Sequence, residues 1–371
     1  MIEGAKHLEG IPVIPADFDK DVWLLNLQNG VLDLKSDKLY PHNPDYMITQ
    51  ISNASYNPSA KCPRWLDYLD KVTDGNADLM KYMQKAVGYS LTGITGEECL
   101  FILYGTGRNG KGTFAETLIH LLGSYAKTAQ VDSLMLKNVS GSGANPDIAR
   151  LKGARVVNAA EPQKNSRLNE SLIKQLTGGD MVTARFLYGK EFEYRPEFKL
   201  WINTNYKPQI SGNDEGIWSR VKLLPFTVYF PPEKRDPHLK DFLREKEIDG
   251  ILNWALEGLK LWQKEGLEMP ETMKLATTDY RCEMDIMQKF LDDCTKPKNN
   301  SSVGALDLYK VYTHWCSENG EYVLSNTKFG RDMNRYLNKR NCRTGVVYLN
   351  IELTKPYENA KQDFEEIDFL K

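Results

Sequence analysis

The chemistry of this chain is most concentrated in one stretch, Gly105-Thr106-Gly107-Arg108-Asn109-Gly110-Lys111-Gly112-Thr113. A glycine, four residues and then Gly-Lys is the spacing of a phosphate-binding loop. Glycines let backbone N–H groups converge on phosphate oxygens without Cβ atoms in the way. A helix starting near Lys111 would aim its first N–H groups and its dipole at the same anion. Lys111 itself would supply a point charge for the β- and γ-phosphates of a nucleoside triphosphate. One position departs from the pattern. The residue after the lysine is usually Ser or Thr, whose hydroxyl reaches Mg²⁺; here it is Gly112, which has no oxygen to offer. Thr113, one step later, is left to contact phosphate or to reach the metal indirectly. The competing reading is a glycine-rich structural turn. Against it stand the apolar run CLFILY before the loop and the amphipathic TFAETLIHLLG after it, the strand and helix that such a loop requires.

Three further residues could serve the same reaction. Glu161 ends the apolar run ARVVNAAE, where a carboxylate could orient water towards a γ-phosphate or join a Mg²⁺ shell; an ordinary surface glutamate would look the same. Asn205 ends FKLWINTN and could hydrogen-bond the γ-phosphate or the attacking water, although asparagine at a strand end is also a common turn former. Arg220, in GIWSRVKLLPF, stands at the mouth of an apolar run and needs an anionic partner. That partner is either a phosphate across a subunit boundary or a carboxylate of its own chain, Asp214 or Glu215.

The elements that would position these residues follow from the same patterns. Runs at 99–104, 154–161 and 198–205 read as buried strands, with helices between them; this is an α/β core with a largely parallel sheet. Ahead of it, residues 1–95 form an N-terminal α+β collar region. Asn29-Gly30 between apolar stretches signals a hairpin there, and residues 64–93 show helical spacing. Residues 239–263 read as a helical, lid-like segment. From 280 to 357, helices precede a short β element, an order compatible with a winged helix, and 358–371 is an acidic tail.

Composition narrows the function classes. The 371 residues include 48 Lys+Arg and 50 Asp+Glu, a net charge of −2, so nucleic acid would have to be met by local basic sites and not by bulk charge. No run of eighteen apolar residues exists to span a bilayer, and the opening MIEGAKHLEG lacks the apolar centre of a signal peptide. Six scattered Cys without a C-x-x-C pair suit reduced thiols in a cytoplasm and give no metal framework.

Taken in order, GTGRNGKGTF, GARVVNAAEP, LIKQLTGGDMVTARFLY, FKLWINTNYKP and DEGIWSRVKLLPF resemble the superfamily III helicases. More narrowly, they resemble the helicase part of phage and plasmid primase-helicases of the poxvirus and satellite-phage type. The flanks LNLQNGVLDL, YNPSAKCPRWLDYL and LYKVYTHWC extend the resemblance over nearly the whole chain. It implies an AAA+-like P-loop core over 96–275, assembled as a hexameric ring around DNA, with ATP and Mg²⁺ between subunits. Residues Gly105 to Thr113 and Glu161 would act within one subunit, Asn205 as sensor, and Arg220 from the neighbour. It also implies a pore hairpin within 176–192, with Lys190 near its tip and Arg185 on an arm, both touching backbone phosphates without reading sequence. Glu191 and Glu193 leave a merely solvated hairpin as the alternative.

The C-terminal stretch 326–345 is basic. On a helix, Lys328, Arg331, Arg335 and Lys339 would share one face, the footprint of a helix docked on a phosphate backbone or else of a solubilising surface. The expected activity is ATP-dependent DNA unwinding in replication of a phage, plasmid or mobile element, with 3′→5′ polarity by resemblance. The alternatives are an origin-binding initiator that uses ATP as a switch and unwinds little, and a small-molecule kinase needing no neighbour's Arg220. About 95 residues before the core are too few for a primase domain with the collar, so primer synthesis by this chain is not expected.

Overall fold

The computed structural model describes residues 17–136, 146–162, 164, 166–210, 215–343 and 345–354; Asp214 and the acidic tail lie outside them. The chain divides into two compact units, with the boundary between Tyr280 and Arg281.

In the first unit, β1 (Leu24–Leu27), β2 (Gly30–Asp33) and β3 (Lys38–Tyr40) form a small antiparallel sheet in chain order. The hairpin expected at Asn29-Gly30 is present, one residue displaced. Gly30 pairs with Leu27, so Gln28 and Asn29 make the turn. The glycine is needed at the strand edge: its φ is 151° and a Cβ there would lie 2.4 Å from the Tyr40 carbonyl oxygen. Helices Pro63–Val72 and Ala77–Ser90 follow, burying Trp65, Tyr68, Leu69 and Val72 at i, i+3, i+4 and i+7.

The central sheet contains β4 (Leu100–Tyr104), β5 (Ala126–Ala129) and β6 (Val156–Ala160). After a separate antiparallel hairpin, β7 (Val182–Arg185) with β8 (Glu191–Tyr194), come β9 (Lys199–Thr204) and β10 (Val221–Pro225). Its order is β10-β4-β9-β6-β5, parallel throughout. Counting only these five, the order is 5-1-4-3-2. The expected α/β core is thus observed. Leu100 to Leu103 are fully buried, as a strand covered on both faces requires. Phe101 stacks on Trp201 at 4.2 Å between centroids. The apolar core runs without interruption from Leu25 and Trp65 through Phe101 and Phe114 to Trp254, so collar and sheet are packed as one body.

The helical segment expected over 239–263 is observed as two helices, Leu239–Lys246 and Ile248–Glu265. The break is at Glu247, whose carboxylate accepts the N–H of Arg64 (3.0 Å) and of Trp65 (2.9 Å). These are otherwise unsatisfied donors in the first turn of helix Pro63–Val72, where a negative charge is favoured. Helix Ile248–Glu265 meets helix Ala77–Ser90 so closely that a Cβ on Gly258 would lie 2.0 Å from the Gln84 carbonyl oxygen.

The second unit runs helix Ile286–Cys294, β11 (Thr295–Gly304), helices Ala305–Asn319 and Asn326–Met333, then β12 (Lys339–Cys342) and β13 (Gly345–Leu353). Its antiparallel sheet has the order β11-β13-β12, and Phe290, Tyr312, Trp315 and Phe329 fill its own core. The single basic helical face expected over residues 328–339 does not form. The helix ends at Met333, the Arg335 and Tyr336 N–H groups bond three residues back to Asp332 and Met333, and Lys339 pairs with Tyr348 as the first residue of β12. Asn334 and Asn338 are weak helix formers, and pairing to β13 fixes an extended backbone from residue 339. Lys328 and Arg331 are therefore on the helix, Arg335 in the turn and Lys339 on the strand, all four exposed.

Candidate nucleotide-binding site

Strands β4, β9 and β6 are adjacent and parallel, so their C-terminal ends open on one edge. That topology brings together three segments far apart in sequence. The loop 105–110 follows β4, Asn205 follows β9 and Glu161 follows β6. Backbone bonds tie them: the Gly105 N–H donates to the Thr204 carbonyl (3.4 Å) and the Glu161 N–H to that of Asn203 (2.8 Å).

The loop turns back on itself through left-handed backbone at Gly107 (φ 101°), Arg108 (φ 52°) and Gly110 (φ 92°). Helix Lys111–Leu122 then begins. Lys111 is buried, and its ammonium donates to the Gly105 carbonyl at 2.7 Å and to Asn109 Oδ1 and Asn205 Oδ1 at 3.0 Å each. All three acceptors are neutral. Burial pushes the Lys111 pKa down, and the Glu161 carboxylate opposes that shift. A desolvated ammonium with no carboxylate hydrogen-bonded to it is prepared for an arriving anion.

The loop is also pegged from outside. Asn109 is buried and its Nδ2 donates to the Phe226 carbonyl (2.9 Å) just after β10. A Cβ on Gly105 would lie 2.1 Å from Asn109 Nδ2 and 2.2 Å from that carbonyl oxygen; no larger residue fits there without moving the loop. The Tyr68 hydroxyl donates to the Gly110 carbonyl at 2.9 Å, which ties the collar helix to the loop. Tyr68 was legible in sequence only as one apolar position in a helical stripe. Thr106 and Arg108 are exposed, and Gly112 and Thr113 are half-buried in the first turn of the helix. Space beside Gly112 is open, the nearest atom to a built Cβ being Glu116 Oε1 at 3.9 Å. Among the described residues no cluster of three His, Cys, Asp or Glu side chains could hold a metal.

Arg220 is elsewhere. Its carbonyl accepts the Leu100 N–H at 2.9 Å, which places it at the N-terminal end of β10, the edge opposite the loop and one five-residue strand away, roughly 16 Å. Its guanidinium, 17% exposed, contacts Glu98 Oε2 at 2.5 Å, and Nη1 donates to the Gly216 carbonyl at 2.5 Å. The carboxylate it meets is thus Glu98, a candidate that the sequence did not suggest. Its Nε is buried without a hydrogen-bond partner.

The β7–β8 hairpin expected within 176–192 is observed. Arg185, last in β7, pairs across to Glu191, with a loose contact of 3.9 Å between their charges. Lys190 is exposed and closes the turn. The crown is Phe186-Leu187-Tyr188, three exposed apolar residues that sequence reading passed over in favour of the charges. No helix among the described residues is long and apolar enough to cross a membrane.

The family described as D5 N terminal like matches residues 1–74, and Poxvirus D5 protein-like matches residues 282–371. These two matches, one at each end of the chain, are consistent with a D5-type primase-helicase. Between the two, a family of unknown function (DUF5906) matches residues 103–220. A protein of Acanthamoeba polyphaga mimivirus named "putative helicase" is 28% identical over 345 residues, covering 87% of this chain and 36% of that protein. Primase D5 of Fowlpox virus (strain NVSL) is 23% identical over 371 residues, covering 94% of this chain and 46% of its own. The chain thus spans less than half the length of these curated relatives. Among solved structures, the apo NrS-1 C terminal region aligns with a TM-score of 0.53 at 14% identity, covering 83% of this chain and 80% of that one, a likeness of fold. These findings accord with the superfamily III resemblance.

Proposed function

We propose that this chain is the motor of a D5-type replication protein, an ATP-dependent DNA helicase with an AAA+-like core that acts as a ring of identical copies, a hexamer by resemblance. The observation that carries the reading is Lys111. Its buried ammonium is held by three neutral oxygens at the one sheet edge where the glycine loop, Glu161 and Asn205 converge. ATP fits that edge. Loop and helix N–H groups would grip its phosphates, and Lys111 would exchange a neutral acceptor for the β- and γ-oxygens. Mg²⁺ would supply charge neutralisation there; Glu161, with Thr113 behind it, is the group available to hold its shell, most of which phosphates and water provide. Glu161 would orient the attacking water, and Asn205, released from Lys111, would bond the γ-phosphate. Arg220 cannot reach its own loop from the opposite edge, so it would serve a neighbour's nucleotide.

Lys190 and Arg185 would meet the DNA backbone in the ring's pore, with 3′→5′ the polarity to test. The second unit follows the order helix, strand, helix, helix, strand, strand. We read it as winged-helix-like, with Lys328, Arg331, Arg335 and Lys339 available to duplex phosphates.

The test is ATP turnover with and without single-stranded DNA, together with strand displacement on a forked duplex, for the wild-type chain and Lys111→Ala. DNA-stimulated turnover and displacement, both absent from the variant, support the motor. Sequence-specific duplex binding with ATP but without displacement would favour the origin-binding initiator instead.

A further inference from the structure

The crown of the β7–β8 hairpin is built in a way that phosphate contact does not require. Phe186 is 49%, Leu187 65% and Tyr188 99% exposed. The turn is closed by the Gly189 N–H donating to the Phe186 carbonyl at 2.9 Å. Tyr188 occupies its third position with φ 61°, where glycine or asparagine fits with least strain. A bulky ring held there, fully in water, is unfavourable on both counts unless something covers it.

The turn is braced. The Phe186 ring stacks on Phe192 of the second arm at 5.6 Å and 24°. Phe192 in turn lies 6.0 Å from Tyr194 and under the Lys152 ammonium at 5.8 Å. The rings on the arm thus support the crown, while Tyr188 stands outside that pile. Cations flank it, Arg185 three residues before and Lys190 two residues after. An exposed aromatic on a braced turn, between cations, is the chemistry that stacks an unpaired base and neutralises the phosphates on either side of it.

We propose that Tyr188 is a stacking platform for an unpaired nucleobase of single-stranded DNA, with Arg185 and Lys190 at the flanking phosphates. The inference rests on the motor reading above and deepens it: the hairpin would engage the π face of bases as well as the backbone. Stacking of this kind tolerates every base and discriminates against a strand that has none.

The experiment compares binding of a single-stranded oligodeoxynucleotide with binding of a strand of equal length whose bases are replaced by abasic spacers. It uses the full chain as wild type, Tyr188→Ala, Tyr188→Phe and Lys190→Ala, with sedimentation to record self-association. Tyr188→Ala is expected to weaken binding to the base-bearing strand about tenfold, with Tyr188→Phe close to wild type. On the abasic strand wild type and Tyr188→Ala should bind equally. Lys190→Ala should weaken both strands alike.

Equal loss by Tyr188→Ala on both strands, or no loss on either, overturns the stacking role alone. A loss that tracks dissociation of copies makes the crown a subunit contact and overturns it as well. Failure of the wild-type chain to bind either strand overturns the motor reading, and this inference with it.

Discussion

The two edges of the parallel sheet carry the same kinds of residue and treat them in opposite ways. At the C-terminal edge, Lys111 is held by one carbonyl and two asparagine side chains, in a loop whose Thr106 and Arg108 are exposed. At the N-terminal edge, Arg155 precedes β6 and Lys199 begins β9, and both are buried. Arg155 donates to the carbonyls of Leu91 and Leu24 at 2.5 Å each. Lys199 donates to those of Thr92, Ile94 and Glu197. Burial pushes down the pKa of all three cations. A depressed pKa therefore does not by itself mark function. One of Lys111's partners, Asn205, is a half-buried side chain that can rotate away when an anion arrives; the partners of Arg155 and Lys199 are backbone carbonyls, most of them in the collar, and have nothing to exchange.

Lys111→Ala tests one half of that contrast and carries the largest expected effect. Turnover should fall by at least about a hundredfold, while the unfolding midpoint stays close to wild type. A variant with near-normal turnover would remove the claim that this loop grips the nucleotide. Arg220→Ala comes next. An arginine reaching a neighbour's phosphates contributes on the order of a thousandfold, so the variant should bind ATP and barely hydrolyse it. Mixed with Lys111→Ala chains, it should regain part of the activity, because some interfaces then pair an intact loop with an intact arginine. No rescue at any ratio would return Arg220 to the role it has within one chain, as the partner of Glu98.

Arg155→Ala probes the other half. Two buried carbonyls would lose a charged donor, a cost of about 3 kcal/mol, seen as a lower denaturant midpoint. Turnover per folded molecule should be unchanged. A selective loss of turnover without loss of stability would mean that the two edges are not divided as argued.

The site edge was legible in the sequence because its signals are local. CLFILY, the glycines and the amphipathic TFAETLIHLLG lie within one stretch, and Glu161 and Asn205 each end an apolar run. What no local pattern contains is which strand lies beside which. The 5-1-4-3-2 order decides that Asn205 and then Glu161 stand side by side next to the loop, while the parallel pairing of β10 with β4 leaves Arg220, ahead of its strand, at the opposite edge. Long-range partners were hidden for the same reason: Glu98 and Arg220 are 122 residues apart, and Glu247 meets the N–H of Arg64 from 183 residues away. The basic C-terminal stretch misled in another way. Its spacing fits a helix, but strand pairing from Lys339 onward prevails over a periodicity carried by exposed side chains with little at stake in burial. Arg155 and Lys199 read simply as strand-end residues, since their acceptors are backbone carbonyls and leave no trace in the sequence.

Lys199→Met gives the smallest and most specific effect, a change in slope with pH. Burial holds the folded pKa of Lys199 well below its ordinary 10.5. Between that lowered value and 10.5 the unfolded chain keeps a proton that the folded chain has released, so the contribution of this group to stability grows as pH rises. It is complete above 10.5 and is lost as pH falls through the folded value. Methionine removes the titration while keeping a long apolar stem against Tyr89, over whose ring the ammonium sits at 4.8 Å. The wild-type midpoint minus the variant midpoint, followed from neutrality to pH 10.5, should therefore rise. A flat difference would mean that the three carbonyls fully offset the desolvation of the ammonium. The N-terminal edge would then hold a cation as comfortably as water does.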